Sequence, residues 1–155
     1  MKQFVHFRLG PDRFAIDVSS TVEIMNPVIV RGVPELPDFV SGVVSIRKTL
    51  VPMIDMRTRL GLKPESERER VVIVRLSRQE KVALLVDEVY GIEKMEGRAM
   101  SKPPVIFRGL KKKYLLGLIR DGEDVIMVLD IGGIITSDEL IKLSEVRESL
   151  EEIEV

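Results

Sequence analysis

Turn residues interrupt this chain about every ten positions, and the segments between them are short, apolar and rich in Val and Ile. That punctuation leaves no room for repeated strand–helix–strand units. It favours hairpins curled into small barrels. Residues 4–9 and 14–18 read as strands around a Gly10-Pro11-Asp12-Arg13 turn. Ser19 and Ser20 can cap one helical turn over residues 21–25, which Asn26-Pro27 would end. Residues 28–30 read as another strand, followed by a connection punctuated by Pro34, Pro37 and Gly42. Two apolar runs, 43–46 and 50–54, flank the polar break Arg47-Lys48-Thr49 and read as a hairpin. Pro52 lacks a donor, so its strand is expected at an edge or with a bulge. Asp55 can cap a short turn that Gly61 stops.

The polar stretch 63–70 reads as a surface loop. Residues 71–76 and 81–89 form a second hairpin, whose latter strand is apolar on both faces and so is expected to be central. Gly91 marks a bend. Lys102-Pro103-Pro104 is a stiff connector. Residues 114–120 and 124–130 pair through Asp121-Gly122-Glu123. Only residues 136–155 read as a long, amphipathic helix. Thr136 and Glu139 form a capping box, Ile135 and Leu140 a hydrophobic staple. Leu140, Leu143, Val146, Leu150 and Ile153 make one stripe, expected to lie on the helix's own barrel. The pattern shows no repeat of fixed period. The expected fold is all-β, within one domain over 1–155.

The 155 residues carry a net charge of −1, which gives no global pull towards nucleic acid or anionic lipid. The charge is uneven: from Thr136 onward seven acidic residues face two basic ones, so the tail is −5 and the body +4. There are no cysteines, which excludes disulfides and thiolate chemistry. No apolar run approaches the roughly 20 residues needed to cross a bilayer, and 1–3 leads into an alternating segment rather than a signal peptide. A cytoplasmic protein is expected. One Asn and two Gln among abundant Lys, Arg and Glu hint at a thermophilic source.

Reaction chemistry is hard to find. His6 is the single histidine and reads as a packed strand residue. No nucleophile elbow, phosphate loop or dinucleotide fingerprint occurs; Gly132-Gly133 lacks both glycine patterns. Asp87 and Glu88, as strand neighbours, would point to opposite faces. Asp121, Glu123 and Asp124 read as turn residues. Arg108 and Lys111-Lys112-Lys113 make the sharpest basic cluster, and small barrels do bind single-stranded nucleic acid. With aromatic content of 5% and no Trp, however, stacking platforms are scarce. The residues predict no catalysis, no cofactor and no metal.

Gly42-Val43-Val44-Ser45-Ile46-Arg47, followed by Leu50-Val51-Pro52-Met53-Ile54-Asp55-Met56-Arg57, resembles the Gly-Val-x-Asn-Leu-Arg-Gly … x-Pro-x-x-Asp-Leu-Arg signature of the CheW-like family of chemotaxis coupling proteins. Val22-Glu23-Ile24, Val86-Asp87-Glu88-Val89 and Tyr114-Leu115-Leu116-Gly117-Leu118 fall in the family's order. The resemblance implies two SH3-like, five-stranded β-barrel subdomains packed over an apolar seam, with a C-terminal α-helix. It implies a scaffold that bridges the regulatory domain of the histidine kinase CheA to the cytoplasmic tip of methyl-accepting chemoreceptors. The same domain also occurs inside CheA and CheV; a 155-residue chain beginning at Met1 favours the free adaptor. By position, the receptor-facing groove would include Thr21, Glu23, Gly42, Arg47 and Lys48, while the kinase contacts stay unassigned. Lys48 stands where the family has Gly, and a glycine holds a positive φ cheaply. The turn is therefore expected to shift onto Lys48-Thr49. Thr21 replaces a residue usually apolar in the family.

Overall fold

The computed structural model describes residues 3–30, 33, 35–62, 69–95, 100–102 and 112–153. Pro34, most of the 63–70 loop, Pro103-Pro104, Arg108 and Lys111 lie outside them. The strands are β1 (Gln3–Leu9), β2 (Asp12–Asp17), β3 (Thr21–Met25), β4 (Ile29–Val30), β5 (Gly42–Ile46), β6 (Thr49–Asp55), β7 (Arg70–Arg75), β8 (Lys81–Val86), β9 (Glu88–Lys94), β10 (Met100–Ser101), β11 (Leu115–Asp121) and β12 (Asp124–Leu129). The helices are α1 (Met56–Arg59), α2 (Ile131–Ile134) and α3 (Ser137–Ile153).

The strands make two sheets among the described residues. One runs β10-β11-β12-β2-β1-β9 and is built from both ends of the chain; the other runs β3-β7-β8-β6-β5-β4 and is one continuous stretch. Each holds five longer strands and one two-residue edge strand. Each is organised alike, with two antiparallel hairpins side by side whose returning strands run parallel: β2 with β12, β6 with β8.

Period-two alternation then sorts the side chains. Val5, Phe7 and Phe14 of one sheet and Ile54, Val72 and Leu84 of the other share the seam between the sheets. Intervening residues fill each sheet's own interior: Ala15, Ile126 and Val128 in one, Val51, Ile73 and Leu85 in the other. Strand β8 is buried on both faces, as expected of a central strand. Each large side chain buried in this way contributes about 1.5–3 kcal/mol.

The returning strands share an unexpected local rule. Each ends in an apolar residue followed by Asp: Ile16-Asp17, Ile54-Asp55, Val86-Asp87 and Leu129-Asp130. Three of these carboxylates cap the turn that follows, accepting from Ser19 N, Arg57 N and Gly132 N. The spacings of 38, 32 and 43 residues are unequal, which is why no fixed period is visible.

Several expectations need correction. Residues Thr21–Met25 form β3 rather than a helical turn; Asp17 caps a single 3-10 turn at Val18–Ser20, and pairing with β7 recruits the β-branched residues that follow. Strand β6 lies inside its sheet, yet Pro52 costs no ladder bond there, because pairing with β8 begins only at Met53. Asp87 and Glu88 do not share a strand: Asp87 is the fully buried crossing point from one sheet to the other.

The capping box of α3 forms as read. Glu139 N donates to Thr136 Oγ1 at 3.1 Å, and Thr136 N to Glu139 Oε1 at 3.0 Å. The helix does not lie on the sheet that precedes it. Val146 and Leu150 pack with Val43 and Leu50 of the other sheet. Arg147 Nε also donates to Glu80 Oε1 at 2.8 Å, and Arg59 pairs with Glu139. Ile153, the last member of the stripe, is exposed.

Candidate functional site

The hairpin tip between β5 and β6 projects beside β3. Register Ile46↔Thr49 leaves Arg47 and Lys48 as a two-residue turn, with φ of 49° and 70°. Both residues are left-handed, the geometry that matches the twist of the flanking strands. The expected shift onto Lys48-Thr49 does not occur. Strand twist fixes the turn type, and Lys48 accepts a conformation that glycine holds more cheaply.

From this tip Arg47 Nη2 donates to Glu23 Oε1 at 3.2 Å. Glu23 reaches it because β3 pairs with β7 at Glu23↔Ile73, after a bulge between Thr21 and Glu23. The Arg47 side chain is 82% exposed, so the pair adds at most about 1 kcal/mol to stability. Its consequence is to hold the guanidinium over a groove. A cavity of about 110 Å³ opens there, floored by Ile46, Val51 and Ile73 and rimmed by Glu23, Arg47 and Lys81. Metabolite pockets run to roughly 300–1,000 Å³, so this one suits a single apolar side chain.

Glu23, Arg47 and Lys48 are thus brought together. Thr21 flanks them, with its Oγ1 buried and lacking a hydrogen-bond partner among the described residues. Gly42 is not in the groove. It opens β5, about 13 Å of strand away from Ile46, and faces Met53, whose Cε would lie 3.2 Å from an added Cβ. Lys81 was missed by sequence reasoning. It joins the rim only because β6 and β8 run parallel, a pairing that no local pattern announces.

A second polar cluster is buried. Arg57 donates to both oxygens of Asp55, to Glu69 Oε2 at 3.0 Å and to Asp87 Oδ1 at 2.9 Å. Its pKa is raised, chiefly by the hydrogen bond to Asp55, with Coulombic attraction to Asp55 and Asp87 opposing desolvation. His6 is buried against Tyr90, its Nδ1 lying 3.0 Å from Glu93 Oε1. Among the described residues no group of His, Asp and Glu converges in a way that could hold a metal ion. No described helix is long and apolar enough to cross a membrane.

Two curled sheets back to back, a shared apolar seam and a small charged groove at one hairpin tip define a double SH3-like β module. A family profile described as the CheW-like domain matches residues 3–139. The chain belongs to the CheW-like domain family. It is 29% identical over 148 residues to the chemotaxis protein CheW of Treponema pallidum, covering 92% of this chain and 86% of that protein. The chemotaxis protein CheW of Klebsiella aerogenes is 29% identical over 149 residues, with coverage of 96% and 90%. The crystal structure of the scaffolding protein TtCheW from Thermoanaerobacter tengcongensis shares the fold, with a TM-score of 0.76, 22% identity and coverage of 89% and 90%.

Proposed function

We propose that this chain is a non-catalytic chemotaxis adaptor that couples the histidine kinase CheA to the cytoplasmic tip of methyl-accepting chemoreceptors. Family membership across residues 3–139 supports the coupling role. The observation that carries the receptor-facing half is the Glu23–Arg47 pair beside an apolar-floored notch. A receptor tip is a helical hairpin, and a helix docks by laying an apolar stripe into a groove whose polar rim sets its register. Glu23, Arg47 and Lys81 form that rim, Lys48 stands beside Arg47 at the hairpin tip, Thr21 supports the rim from β3, and Gly42 acts by letting β5 pack close to Met53. The kinase regulatory domain takes a different face, so that both neighbours are held at once.

The two sheets act as one rigid unit in this reading, and the protein works in the cytoplasm without turnover. The test is to mix the purified protein with CheA and a receptor fragment from the same source. A ternary complex whose kinase activity changes only when this protein is present supports the reading. A kinase response that is the same without it refutes the coupling role.

A further inference from the structure

The groove end of the β3–β8 sheet is more basic than the pair Glu23–Arg47 alone reveals. Because β6 and β8 run parallel and β7 returns into β8, the sheet brings five cations to one end: Arg47, Lys48, Arg75, Arg78 and Lys81. Arg47, Lys48, Arg75 and Arg78 are exposed, and Lys81 is half-buried. Among the described residues Lys48, Arg78 and Lys81 form no ion pair, and Arg75 donates only to the Arg78 carbonyl, at 3.0 Å. Glu23 is spoken for by Arg47. Glu80, which precedes Lys81 in the chain, and Glu151, which lines a neighbouring cavity with Lys81, are both held by Arg147. The whole chain is −1, so this concentration of positive charge is local.

We infer that this rim selects an acidic helix, in which one apolar side chain enters the notch over Ile46, Val51 and Ile73 and flanking carboxylates meet Lys48 and Lys81. The inference rests on the receptor-groove reading and deepens it by stating the charge its partner must carry. Complementary charge across an interface sets encounter rate and excludes wrong partners more than it adds affinity. The notch is too small for more than one side chain, so specificity must come from the rim. Single-stranded nucleic acid is disfavoured here, because no aromatic ring lines the notch to stack a base.

The experiment compares wild type with the double variant Lys48→Glu, Lys81→Glu, at one exposed and one half-buried position, whose folding is checked by circular dichroism. Three probes are titrated by fluorescence anisotropy at two salt concentrations. They are a receptor-tip fragment from the same source, a helical peptide with Glu flanking one Leu stripe, and an oligothymidine strand. The expected result is that the receptor fragment and the Glu-flanked peptide bind wild type, and that each is weakened about tenfold or more in the double variant and by added salt. If the receptor fragment binds both proteins equally, the inference is overturned and the adaptor reading stands. If only the Glu-flanked peptide binds, and only to wild type, the acidic-helix inference holds and the receptor reading falls. Preferential binding of oligothymidine, or binding of neither helix, overturns the inference.

Discussion

Asp87 bridges the two sheets: Oδ1 accepts from Arg57 Nη1 at 2.9 Å, and Oδ2 from the backbone N of Gly10, in the β1–β2 turn, at 2.6 Å. It is fully buried, and the Arg57 side chain is 5% exposed. Removing Arg57 leaves the buried Asp87 carboxylate without that counter-charge, held by the Gly10 N–H, at a cost of about 3–5 kcal/mol. Removing Asp87 leaves Arg57 still bonded to Asp55 and Glu69. Arg57→Met should lower the urea midpoint accordingly, Asp87→Ala should lower it less, and the double variant should lose less than the sum of the two. Additive losses would show that the two charges do not interact. Because Arg57 has a raised pKa, its contribution is fully present below the ordinary arginine value and is lost progressively as pH rises from there through the raised one. Stability should therefore show no step from this residue up to about pH 11.

Lys48 occupies a left-handed conformation at φ 70°. Lys48→Gly should stabilise the protein by about 0.5–1 kcal/mol, after allowing for the greater freedom of glycine in the unfolded chain. Thermal denaturation checks this. A drop in stability would mean that the tip does not hold both residues at positive φ.

Thr21 buries a hydroxyl with no partner among the described residues. Thr21→Val keeps the shape and removes the unsatisfied group, so it should gain about 1 kcal/mol. An unchanged or lower denaturant midpoint would reveal a hydrogen bond made by that hydroxyl.

Gly133 and Gly132 are neighbours with opposite tolerance. A Cβ on Gly133 would sit 1.9 Å from the carbonyl oxygen of Lys113, whereas one on Gly132 meets only Asp130 Oδ1 at 3.4 Å. Gly133→Ala should cost about 3 kcal/mol by overpacking, and Gly132→Ala should stay within about 0.5 kcal/mol of wild type. Equal effects on the unfolding curves would contradict the close approach of α2 to that backbone.

Arg47 is a surface cation whose planar fork can hold two acceptors at once. In a receptor pull-down, Arg47→Lys should bind nearly as poorly as Arg47→Ala, with both unchanged in stability to within about 1 kcal/mol. A lysine variant that binds like wild type would show that charge alone suffices there.

Much of the fold is written locally. Gly10-Pro11 and Gly122 mark turns, both faces of β8 are apolar, and Thr136 with Glu139 starts the long helix, all within a few residues of sequence. What escaped local reading depends on pairing between distant segments. Residues 21–25 carry a plausible cap yet become a strand because β7 offers an edge. Arg57, in a polar-looking turn, is buried because Asp87 arrives from 30 residues away. At the candidate site, Glu23 and Arg47 were nameable from the family pattern. Lys81 was not, because the parallel β6–β8 contact that recruits it has no signature of its own.

The order in which the sheets use the chain bears on synthesis. Strands β3 to β8 are one run, so that barrel can close once Val86 has left the ribosome. Strands β1 and β2 emerge first but must wait for β12, whose Met127 pairs with Phe14 across most of the polypeptide. Such distant contacts form slowly, because loop closure must precede them. Phe7 and Phe14, which face the seam, therefore stay uncovered until the neighbouring barrel closes, and the opposite face of the hairpin, with Ala15, stays open until β12 arrives.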